Sequence, residues 1–225
     1  PHLTSPRLAS PHLTSPRLIA RSQARHTKEE ATRLAHEVGE LLTMCVPDAP
    51  PANAETFWEE RKARHDANVK QGHKLNDQGA ALGASEAFKA ACEAFPRSAS
   101  VISYVNMVYK QGAVNAPWCA AAYYALAALK LPDAEAAIVQ KKLAEVCSGL
   151  RPELTHALET SVDVRACGRF EVASAEARET RLRHEQGKRQ AEETRAMQVR
   201  SLLVSPSILA LSLSPCSSAR NPPRI

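Results

Sequence analysis

The chain has 225 residues, 44% of them hydrophobic and only 4% aromatic, with 29 Lys and Arg, 24 Asp and Glu, and six Cys, giving a net charge of +5. Such a chain buries a core of one domain with tails, or of two small domains, which excludes a wholly disordered or collagen-like chain. Residues 1–25 hold four Arg and residues 201–225 two, with no acid in either. That leaves 23 basic against 24 acidic groups between them, so the basicity lies in the tails and argues against a nucleic-acid binder.

Residues 1–20 are a tandem decamer, PHLTSPRLAS followed by PHLTSPRLIA, with Pro at every fifth position. That spacing is too tight for helix or sheet, and the basic tail 1–25 is expected to be disordered. An acid-free, Arg- and Ser-containing leader is compatible with an organellar transit segment or with proline-directed phosphorylation at Ser5 and Ser15; a duplication without a role fits equally. The first residue, Pro1, suggests a fragment or a processed product.

Residues 26–46 read as an amphipathic helix. Thr27 and Glu30 form a capping box, and Ala31, Leu34, Ala35, Val38, Leu41, Leu42 and Cys45 recur at helical spacing until Pro47. PDAPPANAE, residues 47–55, is a linker by composition. No later stretch alternates apolar and polar residues long enough to predict a strand.

Residues 54–150 carry an internal repeat. A shift of 36 residues lays SEAFKAACEAFPRSAS over AAYYALAALKLPDAEA, placing Ala84 over Ala120, Phe88 over Tyr124, Ala91 over Ala127, Phe95 over Leu131 and Pro96 over Pro132. The physical sense is a helical hairpin: Ala permits close approach of two helices, the aromatic fills the space between them, and Pro ends the second helix. Gly72, Leu75 and Gly79 precede the first of these second helices, and Val105, Tyr109 and Gly112 the second. A further helix is expected at 136–150, as the start of another unit or a cap.

Residues 151–200 read as a charged helical extension. Its segment 171–200 contains seven Lys or Arg and six Glu, with Glu179→Arg183 and Glu185→Arg189 at helix-supporting spacing. Val172, Leu182 and Met197 are too sparse for a coiled-coil seam. The segment reads as a solvated helix, or as an arm on a larger assembly using Arg178, Arg181, Arg183, Lys188 and Arg189. The Ser- and Pro-rich tail 201–225 is interrupted by Pro206 and Pro215, leaving no apolar run near the roughly 20 residues a bilayer requires, and is expected to be disordered.

With its Ala, aromatic and closing Pro in two units, 65–98 and 99–134, the chain resembles the tetratricopeptide repeat (TPR) family, a 34-residue helix–turn–helix. Asn68 stands where the family has tryptophan, Asn106 where it has a small residue, and GAVNAPWCA lengthens one turn by two residues. The resemblance implies an all-α fold, a short TPR-like helical-hairpin solenoid with disordered termini. Its packing residues would be Gly72, Leu75, Gly79, Ala84, Phe88, Ala91, Pro96, Tyr109, Ala120, Tyr124, Ala127 and Pro132. It further implies a non-enzymatic scaffold or adaptor that binds a peptide or helix of a protein partner in a groove of first helices. The side chains expected to face that groove are Val69, His73, Asn76, Tyr104 and Met107. The carboxylate clamp of one subgroup of the family is not matched, since its positions hold Val69, His73, Tyr104, Ala136 and Gln140, while Lys70, Asn106 and Lys141 are expected on other faces.

Nothing in the sequence suggests catalysis: there is no G-x-S-x-G elbow, H-E-x-x-H pair or phosphate-binding glycine loop. No cofactor and no metal is expected, because the cysteines stand 20 or more residues apart without close ligand pairs. His65 and His73 read as a half-exposed surface pair rather than metal ligands. No secretory signal is visible, so disulfides are not expected and the reading is intracellular, cytoplasm before organelle. Competing readings are a subunit of an organellar ribonucleoprotein or membrane complex, and the repeat part of a longer enzyme.

Overall fold

In a computed structural model, residues 16–47 and 54–204 are described, and all regular structure among them is helical. The expectations for the N-terminal decamers up to residue 15, for the linker residues 48–53 and for the tail from 205 lie outside the described residues. The elements are α1 (Pro16–Met44), α2 (Ala54–Asp77), α3 (Ala81–Ala94), α4 (Ser98–Lys110), a 3-10 turn (Ala113–Asn115), α5 (Ala116–Ala127), α6 (Asp133–Cys147), α7 (Pro152–Thr160) and α8 (Val164–Val204). The chain divides into two compact units after Thr180. Among the described residues no helix is long and apolar enough to cross a membrane.

The first helix starts earlier than its expected boundary at residue 26. It opens at Pro16, which sits where the first-turn N–H needs no partner, and the following RLIARSQAR has no further proline to stop it. Thr27 therefore lies inside the helix. Its hydroxyl donates to the Gln23 carbonyl, one turn back, so the Thr27–Glu30 capping box is not formed. The apolar stripe does what its period predicts: Ala31, Leu34, Ala35, Val38, Leu41, Leu42 and Cys45 are all buried. That face packs on α5 and α7.

Two helical hairpins, α2–α3 and α4–α5, follow each other, and each second helix also packs on the helix after it. The first turn is a Schellman motif: Gly79 takes a positive φ of 75°, and the Ala80 N–H reaches back to the Leu75 carbonyl at 2.9 Å. Phe95 is extended before Pro96, which stops α3. Within this hairpin Gly72 faces Phe88 so closely that a Cβ there would stand 2.9 Å from the ring. Ala84, Phe88, Ala91 and Pro96 are buried and Leu75 half-buried.

The second hairpin differs by one position along α5. Ala120 is buried as expected, but Tyr124 is half-buried and Ala127 exposed, while Tyr123, Ala125 and Leu126 are buried. Pro132 is exposed and Tyr109 half-buried. The cause is the neighbourhood: α5 touches α1, α4, α6 and α7, so its most enclosed face is not the one α3 presents to its fewer neighbours. The Tyr123 hydroxyl donates to Asn106 Oδ1 at 2.8 Å, which satisfies its polar end. α7, shortest of the eight, packs on α1 and α5 and buries Leu154 and Leu158.

The segment expected as a charged extension from residue 151 is, up to Ala177, part of the core. Ala166, Cys167, Phe170, Ala173 and Ala177 form a buried stripe at helical spacing on α8, and Ala177 joins Trp58 and Phe95. Val172 lies off this stripe and is 69% exposed. In the second unit, residues 181–204, the helix is exposed along nearly all its described side chains from Leu182 onward, with Arg181 paired to Glu185 one turn ahead. This half keeps the solvated character that its mixed charges predict.

Candidate interaction face

Three side-chain hydrogen bonds tie helices that begin successive segments. Lys110 Nζ donates to Asn76 Oδ1 at 2.8 Å across 34 residues, and His65 Nε2 meets Ser100 Oγ at 2.8 Å across 35. Ser98 Oγ donates to Glu135 Oε2 across 37 residues. The first two contacts climb α2 and α4 together, so those helices run parallel and side by side. The third ties the start of α4 to the start of α6.

These contacts also fix which way α4 faces. Ser98 points to α6 and Ser100 to α2, as expected for side chains about 200° apart around the helix, on nearly opposite sides. Between those directions runs the strip Ala99, Ser103, Asn106 and Lys110, half-exposed to exposed. Opposite it, Val101 and Val105 are buried in the core. On α2 Asp66 and His73 are exposed and Val69 half-buried, and on α6 Ile138 is 46% exposed and Lys142 half-buried.

The expected groove residues divide accordingly. His73 is exposed with its ring edge-on to Phe88 at 5.2 Å, Val69 is half-buried against the same cluster, and Asn76 accepts the Lys110 bond. All three stand on the α2 side of the face. Met107 does not: it is 6% exposed, packed with Ala84 and Phe88. Tyr104 is half-buried and meets the Trp118 ring edge-on at 5.8 Å, turned toward α5. On α4 burial draws the large side chains inward and leaves small and polar ones outside. Asn106, expected on another face, is on the open strip, and no apolar signal would have marked it.

His65 is likewise not the half-exposed surface partner of His73 that its spacing suggests. It is 2% exposed, with Nδ1 2.9 Å from Asp66 Oδ1 and Nε2 on Ser100. Burial, the largest influence, lowers its pKa, with Asp66 pulling the other way and Arg97 and Lys62 adding to the lowering. In the neutral ring Nδ1–H donates to Asp66 and Nε2 accepts from the Ser100 hydroxyl. The order Ser–His–Asp is that of a hydrolytic relay, but Ser100 is buried and lines none of the clefts described next, so the contact reads as a link between helices.

Three clefts lie elsewhere in the first unit. The largest, about 740 Å³, runs between α1 and α7 beside Lys28, Arg151, Glu153 and His156. One of about 420 Å³ has Val46, Pro47, Trp58 and Val172 in its walls, and one of about 330 Å³ lies between Leu129 and Phe170. Among the described residues no group of three or more His, Cys, Asp or Glu is arranged to hold a metal ion. The thiols of Cys119 and Cys167 are pushed up by burial to about 12 and about 11, and the Cys92 thiol is raised by its hydrogen bond with Cys45 and by burial. Such thiols stay protonated and act as small apolar side chains. No protein-family model, curated protein or solved structure matches the chain.

Proposed function

We propose that the chain is a non-enzymatic interaction module, a short TPR-like solenoid that holds a peptide or helix of a partner protein along the face of α2, α4 and α6. The observation that carries this reading is the spacing of the three links, 34, 35 and 37 residues, close to the period of the repeat it resembles. Links at one repeat length place corresponding helices side by side, and a row of first helices makes a continuous face. Small and polar side chains along Ala99, Ser103 and Asn106 leave room for a ligand's backbone, with Ile138 as an apolar contact and His73 and Lys142 as polar ones.

The reading is tested with peptides selected from a random library on the full chain. Ser103→Arg and Ile138→Asp should each weaken the selected peptides about tenfold or more, with the circular dichroism spectrum unchanged. Val114→Asp, at a position 86% exposed in the turn before α5, should not. Equal binding by all three variants would place the interaction surface elsewhere.

A further inference from the structure

The N-terminal half of α2 grips the corner between α3 and α4. Arg61 donates through Nε to the Ala94 carbonyl at 2.7 Å and through Nη2 to that of Glu93. The Phe95 ring is held between Trp58, edge-on at 5.4 Å, and His65, tilted at 5.7 Å. His65 Nε2 then closes the corner on Ser100, in the first turn of α4. Of these groups only the imidazole changes charge near neutral pH.

A proton on that ring is poorly accommodated. The site is buried, and Nε2 points at the N-terminal turn of α4, where the helix dipole is positive. The charged side chains acting on it are Lys62 and Asp66 from α2 and Arg97 from the α3–α4 connection. Two of the three are cations, and the carboxylate of Asp66 is itself half-exposed and shared with Lys62 Nζ at 3.0 Å.

We propose that His65 is an acid-sensitive latch: neutral, it accepts the Ser100 hydroxyl and closes α2 on the α3–α4 corner, and protonated, it releases that corner while the packing of α1, α5 and α7 persists. The sign follows from the charge placement. A histidine held neutral in the folded state gains protons on opening, so closure is complete above the ordinary histidine range and weakens as pH falls through and below it. The latch does not depend on what the open face of α2, α4 and α6 binds.

Hydrogen exchange of the full chain, corrected for intrinsic rates, tests it. Between about pH 7.5 and about pH 5.5, protection in segments 54–66 and 95–102 should fall about fivefold or more relative to α5 and α7. His65→Gln, which keeps an acceptor for Ser100 but does not titrate, should remove that pH dependence. Asp66→Asn, at a half-exposed position, withdraws the one acid that favours the charged ring in the closed state, so the loss of protection on acidification should grow and move to higher pH. An imidazole resonance of His65 titrating at or above the ordinary histidine value would overturn the latch. So would protection that falls equally in α5 and α7, or a pH dependence that survives in His65→Gln or stays unmoved in Asp66→Asn.

Discussion

The hairpins α2–α3 and α4–α5 carry the same sequence pattern and spend it differently. In the first, Phe88 and Ala91 are buried and Gly72 sits under the ring of Phe88. In the second, the matching Tyr124 is half-buried and the matching Ala127 exposed, while Tyr123, one residue earlier, is wholly enclosed. α3 packs between α2 and α4, whereas α5 is also covered by α1 and α7. A repeat in sequence therefore fixes the helices and their turns, and the number of neighbours decides which side of each helix becomes core.

The sharpest way to break the comparison is to delete the two matching rings. Phe88→Ala should cost about 3–5 kcal/mol in denaturant unfolding, as for other buried aromatics, and Tyr124→Ala about 1 kcal/mol. Equal losses would mean that the two units pack alike after all. Enlarging the matching alanines comes next: Ala91→Leu should overpack by about 1–3 kcal/mol, and Ala127→Leu should stay within about 0.5 kcal/mol of the parent.

Gly72→Ala probes the crossing itself. The new methyl meets the Phe88 ring at 2.9 Å, and the strain should outweigh the roughly 1 kcal/mol of helix propensity gained, for a net loss of about 1 kcal/mol. Phe88→Leu in the same chain should relieve part of that loss, seen as non-additive melting shifts. The smallest effect separates the adjacent tyrosines. Tyr123→Phe gives up the hydrogen bond to Asn106 and should cost about 1 kcal/mol. Tyr124→Phe gives up only a long contact with the Cys147 thiol, 3.9 Å, and should cost a few tenths of a kcal/mol at most by the same measurement.

The fold was legible where burial follows a local period. The stripe from Ala31 to Cys45 and the pattern Gly72, Ala84, Phe88, Ala91 each record contacts with one or two neighbouring helices, so their spacing alone reveals the buried side. The beginning of α8 was not legible. Its buried stripe is built from Ala166, Cys167, Ala173 and Ala177 with a single large residue, Phe170, and small side chains carry little hydrophobic signal among many charges. On the candidate face, Val69, His73 and Asn76 of α2 lie beside the open strip, because α2 buries its other side against α3. On α4 no single spacing marks the open side: a helix enclosed on three sides turns its large residues, Tyr104 and Met107, to neighbours and its small ones, Ala99 and Ser103, toward solvent.

What the sequence by itself determined is the all-helical character, the breaks at Gly79, Pro96 and Gly112, and the near-neutral middle of a basic chain. Each is a local property, set by backbone freedom at a glycine, by the missing N–H of a proline, or by the sum of charges over a segment. Only the tertiary structure decided that His65 is a buried link to Ser100 rather than a surface histidine, that Asn106 lies on the open strip, and that α8 up to Ala177 belongs to the core. Those outcomes depend on groups 35 or more residues away, or on how many helices surround one position, and no spacing within a single helix encodes either.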